Sequence, residues 1–269
     1  MMTEILPALH IRLSNAEVLF LEALLGIRPA PAEAAEQREL PPDVWAAQYA
    51  TARDALRARS LISADFAQAQ LVVDPLIAAA LATCAQTPQT LVITHAAPGI
   101  HNVTVALYMQ PALAVAHRQG EPGLHDLTIF FDQAHIGTYL RAEVAPDGTF
   151  APPSPETTLQ SAAIQQALTT ATRDGADAAA AVLRAGGADA ALAGALAAAM
   201  ARPTLLTTVI ATTAAPGQPV RGWVQLVADD TLWQITPDGP TQTTRVRVVD
   251  PQTLAAAMDA LVATLEPTP

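Results

Sequence analysis

Twice the chain runs from an apolar, β-branched stretch beginning Thr-Leu into the turn Ala-Ala-Pro-Gly, as TLVITHAAPG at residues 90–99 and as TLLTTVIATTAAPG at residues 204–217. Each copy is preceded by a small-residue helix. The first is DPLIAAALATCA, with Asp74 as N-cap, Pro75 at the first helical position and a stripe of Ile77, Leu81 and Cys84. The second is ADAALAGALAAAMA, residues 188–201. Behind the first turn come the alternating run NVTVALYM, then LTIFF and YLRAEV (residues 139–144), then Pro146-Asp147-Gly148. A helix from about Ser154 follows, with Leu159, Ala163, Leu168 and Ala171 inward. Behind the second turn come GWVQLVA, LWQIT, Pro237-Asp238-Gly239 and TTRVRVV. A last helix is capped by Asp250-Pro251 and striped by Leu254, Met258, Leu261 and Leu265.

The order helix, strand, Ala-Ala-Pro-Gly, strands, Pro-Asp-Gly, helix thus occurs twice, with about a helix of extra residues in the first copy. An antiparallel meander with one apolar face must bury that face under its helices. The expected class is α+β, in two quasi-repeated halves of antiparallel sheet covered by helices, residues 1–175 and 176–269, with pseudo-twofold character in one compact unit.

Ahead of the repeats, the β-like run HIRL leads to Ser14 and Glu17, an S-x-x-E capping box that starts a helix. That helix is apolar on nearly every side and stops at Gly26, where a left-handed cap is least costly. It reads as buried. Residues 28–42 hold four prolines and read as a surface connection. A second helix sets Trp45, Tyr49, Ala52 and Leu56 at helical spacing and places Arg57 and Arg59 near its C-terminal dipole.

A chain of 269 residues, 51% of them hydrophobic, can bury one large core or two ordinary ones. The net charge of −11 comes from scattered acids with no basic run, which excludes a phosphate-tracking surface, so no nucleic-acid partner is expected. The N-terminus has an acid where a signal peptide needs positive charge, and the most apolar stretch, Ala188 to Ala201, is too short to span a bilayer. A cytoplasmic protein with no membrane partner is expected. Cys84 is the single cysteine, has no internal disulfide partner and reads as a core thiol.

No G-x-S-x-G elbow, P-loop, G-x-G-x-x-G, H-E-x-x-H or C-x-x-C is present. His95 and His101 flank the first Ala-Ala-Pro-Gly and could meet as two metal ligands, but as polar residues at strand ends they need no ligand. His125-Asp126 with His135 has the types of a base and its orienting carboxylate, without an indicated nucleophile. The expectation is therefore no catalytic residue, no metal, no cofactor and no enzyme. Trp45 and Trp233 read as core.

One strand face carries a different signal. With Val224, Leu226, Trp233 and Ile235 toward helices, Trp223, Gln225, Leu232, Gln234, Arg245 and Arg247 share the other face. An aromatic, amide and arginine mixture suits a partner-binding surface, and a solvated sheet face is its bland counterpart.

Four segments, LSNAEVLFLEALLG, ARDALRARSLI, VVDPLIAAALATC and RVRVVDPQTLAAAMDALV, taken in order, resemble the EspG family of chaperones in type VII (ESX) secretion. The resemblance lies in element order and Asp-Pro caps across most of the chain. It implies two quasi-repeated α+β halves, no catalytic site, and a helical client of PE–PPE type held before export. The later part of that family is usually rich in arginine and glycine, whereas this chain has 14 Lys+Arg and 13 Gly in all. No family motif carries client-contact residues over. A structural or scaffolding protein that forms a homodimer through its sheet face is the first rival reading, and an unrecognised enzyme the second.

Overall fold

The computed structural model describes residues 8–28, 41–65, 70–87, 90–212 and 221–265. The second Ala-Ala-Pro-Gly lies outside the described residues. The fold is mixed α+β, built on antiparallel strand pairing. It divides into two compact units, one within Met1–Gln89 and Val105–His135, the other within Thr90–Thr104 and Ile136–Pro269. The division at residue 175 suggested by the sequence falls inside the second unit.

In the first unit, strand β1 (Ala8–Ser14) leads straight into helix α1 (Asn15–Leu25). The expected capping box is formed: the Ser14 backbone N–H donates to Glu17 Oε2 at 2.7 Å, and the Glu17 N–H donates to Ser14 Oγ at 3.3 Å. Gly26 ends the helix at φ +67°, a conformation that a Cβ would strain. Val18, Leu19 and Leu21 are buried, but Leu24 is exposed, so α1 buries one face rather than its whole circumference.

Helix α2 (Pro42–Ala58) buries only Ala52 and Leu56. Trp45 is half-buried rather than core, because its first turns project beyond the apolar contact made by its last two. Arg59 does not serve the helix dipole alone; Nη2 donates to Glu17 Oε1 at 2.6 Å and Nη1 to the Arg12 carbonyl at 2.7 Å. Strands β2 (Ile62–Asp65) and β3 (Gln70–Val73) pair with each other. Helix α3 (Pro75–Gln86) is capped by Asp74, whose carboxylate accepts from the Leu76 and Ile77 N–H groups. Cys84 of α3 is a free thiol, and burial pushes its pKa up to about 12.

Three further strands, β5 (Val103–Gln110), β6 (Leu113–Gln119) and β7 (Leu124–Phe130), give the first unit the strand order β1-β7-β6-β5. Leu13, Val115, Leu127 and Ile129 on one face of this sheet pack with Val18, Leu21, Leu56 and Ile77 from the helices.

The second unit is built on β4 (Leu91–Ala96), β8 (Thr157–Gln160), β9 (Leu205–Ala211), β10 (Arg221–Ala228), β11 (Thr231–Asp238) and β12 (Thr243–Val248). Their order is β4-β9-β10-β11-β12-β8. Gly222 lets β10 close on β9, since a Cβ there would lie 1.9 Å from the Val209 carbonyl oxygen.

The YLRAEV run is not a strand; it belongs to helix α4 (Gln133–Val144), which buries Ile136, Leu140 and Val144 at helical spacing. The helix expected from about Ser154 begins later, as α5 (Ser161–Asp174), because residues 157–160 pair as β8 with β12. Helices α5, α6 (Ala176–Ala185) and α7 (Ala190–Ala201) cover one sheet face, where Ile164, Leu183, Leu196 and Met200 meet Leu226, Trp233, Ile235 and Val246. The expectation that Trp233 and its neighbours face helices holds. Helix α8 (Pro251–Val262) is capped by Asp250, which accepts from the Thr253 N–H at 2.6 Å. That bond and its neighbours hold the Asp250 carboxyl below the usual range.

Candidate functional site

The register of the second unit aligns five polar residues: His95 opposite Thr207, Thr207 opposite Gln225, Gln225 opposite Gln234, and Gln234 opposite Arg247. Directly opposed residues share a face, so these side chains form one row across five strands. Trp223, two residues before Gln225, and Leu232, two before Gln234, lie on the same face. The six residues expected to share a face therefore do so.

That face is not open. Trp223 is 5% exposed, Gln225 1%, Leu232 0% and Gln234 3%. Helix α4 lies over it: Gln225 Nε2 donates to the Val144 carbonyl at 2.9 Å, and Glu143 Oε2 lies 3.4 Å from His95 Nε2. Arg141 of α4 in turn meets Asp259 of α8 at 2.7 Å, which sets the two helices side by side. The expected exposed surface at Trp223, Gln225, Leu232 and Gln234 is thus corrected to an interior one. Polar residues at every second position look solvated in a sequence, whereas here the Val144 carbonyl at the end of α4 meets the Gln225 amide nitrogen and Arg247 meets the Gln234 amide oxygen.

Of the six expected residues, Arg245 and Arg247 on β12 are the two that reach solvent. Arg247 is half-buried and donates through Nε and Nη2 to Gln234 Oε1 at 3.0 and 2.7 Å. Arg245 is exposed, 3.7 Å from Glu156. Deeper in the row, Gln225 Oε1 and the Trp223 indole N–H find no hydrogen-bond partner among the described residues.

The histidines separate. His95 Nδ1 lies 3.0 Å from Thr207 Oγ1, while His101 stands exposed past the turn, so the two do not converge on a metal. His125 and Asp126 project from opposite faces of β7. His125 is buried, and Asp126 is held by Arg12 at 2.6 Å. His135 lies beside Asp132 instead, at 3.6 Å. Among the described residues no three His, Cys, Asp or Glu side chains are grouped to hold a metal.

A recess absent from the sequence reading opens in the first unit between α1 and α2, about 850 Å³ in volume. Ser14 and Glu17 line one wall, Ala47, Thr51 and Trp45 the other, and Gly123 contributes to the lining. Trp45 packs edge-on to Tyr49 at 5.3 Å, and Tyr49 to Phe20 at 5.8 Å. Of the stripe Trp45, Tyr49, Ala52 and Leu56, Trp45 and Ala52 line the recess, while Ala52 and Leu56 are the residues the helix buries, a difference no periodicity reveals.

No family model matches the chain, and no curated protein matches it. Among solved structures, the chain is similar to EspG5, a type VII secretion system chaperone of Mycobacterium tuberculosis solved in complex with the PE25-PPE41 dimer. The TM-score is 0.67 at 16% identity, over 97% of this chain and 98% of that one. A second match, to HtdX of Mycobacterium tuberculosis, has a TM-score of 0.15 at 16% identity, covering 90% of this chain and 99% of that one. No helix among the described residues is long and apolar enough to cross a membrane. Nearly end to end, the chain shares the fold of EspG5.

Proposed function

We propose that this protein is a non-enzymatic, cytoplasmic binding protein that holds a helical client of the PE–PPE type before its secretion. The observation that supports this reading is the likeness to EspG5 over both chains, since that protein was solved holding a PE–PPE dimer. Fold alone does not carry function, and the client contacts must be argued from this chain. Arg245 and Arg247 are the two residues of the expected partner face that reach solvent, and we assign them to the client surface. Arginine at an interface supplies several fixed donors and is enriched among energetically dominant contacts.

Co-expression with PE–PPE-type pairs encoded in the source genome tests this reading. A complex that persists through gel filtration, and whose affinity drops by about tenfold with Arg245→Glu, is the expected outcome. Absence of a complex with every such pair overturns the client reading. A chain that elutes alone at twice its monomer mass favours the homodimer instead.

A further inference from the structure

We propose that α4 is a detachable cover over the polar row of the second unit, and that a client helix with an acidic last turn takes its place. The choice of occupant rests on the client reading above; the detachment does not. The seat of α4 is poorly matched. The Trp223 indole N–H and Gln225 Oε1 find no hydrogen-bond partner among the described residues, on side chains that are 5% and 1% exposed. His95 Nε2 stands 3.4 Å from Glu143 Oε2 without the alignment of a hydrogen bond. A buried donor or acceptor left unmade has lost its bond to water, so each one favours a state in which water returns. Lifting α4 returns it to all three.

The two faces of the sheet differ in how they are covered. Under α5, α6 and α7 the contact is apolar, with Ile164, Leu183, Leu196 and Met200 on Leu226, Trp233, Ile235 and Val246. On the other face α4 buries Ile136, Leu140 and Val144 over a row that holds His95, Thr207, Gln225 and Gln234. Its lateral tie, Arg141 to Asp259, is solvent-exposed and correspondingly weak. Gly137 stands mid-helix, yet a Cβ there would meet Arg141 Nη1 at 3.6 Å and Asp259 Oδ1 at 3.8 Å, ordinary contact distances. Packing does not require this glycine, and it weakens the helix. The Ala145 N–H closes the last turn on the Arg141 carbonyl, and the Ala151 N–H is fixed to the Asp230 carbonyl. The residues between them, 146–150, belong to no helix or strand and give α4 slack to move aside.

What replaces α4 is read from α4 itself. Its C-terminal turn offers the Val144 carbonyl to the Gln225 amide and the Glu143 carboxylate to His95. A client helix with an acid at the same place in its last turn supplies both groups. The face continues across β11 to Arg247 and Arg245 on β12, so the seat of α4 and the client surface become one surface once the helix is lifted. Until then α4 is an autoinhibitory contact, and client affinity is reduced by the fraction of molecules that are closed.

Hydrogen exchange of the whole chain, read by NMR with and without Gly137→Ala, tests the cover. In the wild type, the amides of residues 136–144 and the Trp223 indole N–H should exchange about tenfold or more faster, after correction for intrinsic rates, than the amides of residues 190–201. Gly137→Ala strengthens the helix where a methyl has room, and should slow both α4 and the indole by about fivefold. Exchange of α4 no faster than that of residues 190–201, or an indole that does not respond to Gly137→Ala, overturns the cover. A PE–PPE-type dimer held by the wild type should bind Gly137→Ala about fivefold more weakly, because it needs the open form. Undiminished affinity overturns the replacement of α4 by the client. If no such dimer binds either protein, the occupant falls with the client reading, and exchange alone decides the cover.

Discussion

Trp223 and Arg245 test how one strand face can hold both core and surface. The indole is buried beneath a helix, so Trp223→Ala removes a large side chain that cannot be refilled. A loss of about 3–5 kcal/mol in urea unfolding is expected. Arg245→Ala, exposed and only loosely paired with Glu156, should fall within about 0.5 kcal/mol of the wild type. Equal losses for the two would mean that the strand face is not covered as described. The sequence shows that these residues share a face, because side chains alternate along a strand. It does not show which face is wet, since that depends on where α4, far away in the chain, comes to rest. Gln225 illustrates the difficulty: its amide looks solvated until the Val144 carbonyl is beside it.

At the scale of elements, caps were the most legible features. Ser14, Asp74 and Asp250 each bond the first-turn N–H groups of the helix they precede, and each signal is local. Where pairing is non-local the reading failed. Residues 157–160 read as part of a helix from about Ser154, yet their partner strand β12 lies more than eighty positions ahead. The stripe of α8 supplies a graded test, because Leu254 is wholly buried while Leu261 lies nearer the edge. Leu254→Ala should cost about 3–5 kcal/mol, and Leu261→Ala about 2–3. Chemical denaturation of the two variants checks both the docking and the gradient. A loss under about 1 kcal/mol at Leu254 would mean that α8 is not seated.

For the whole molecule, the α+β class was readable, and strand order was not. Nothing in TLVITH announces that its neighbour is TLLTTVIA rather than a nearer strand; complementary apolar faces permit many pairings. The second unit draws on both sides of residue 175, so a fragment of residues 176–269 would lack β4, β8, α4 and α5. Circular dichroism of that fragment should show no cooperative thermal transition. A sharp transition would restore the half-chain as an independent domain.

The pairing of β4 with β9 also has a meaning in time. Leu91 faces Ala211, so during synthesis β4 leaves the ribosome about 120 residues before this partner strand exists. At roughly 5–20 residues per second the wait is about 6 to 24 s. Throughout it, the backbone edge destined for β9 is open to any other extended chain nearby. The nascent polypeptide is therefore most exposed to mispairing on polysomes, and slow codons between the two strands would lengthen that hazard.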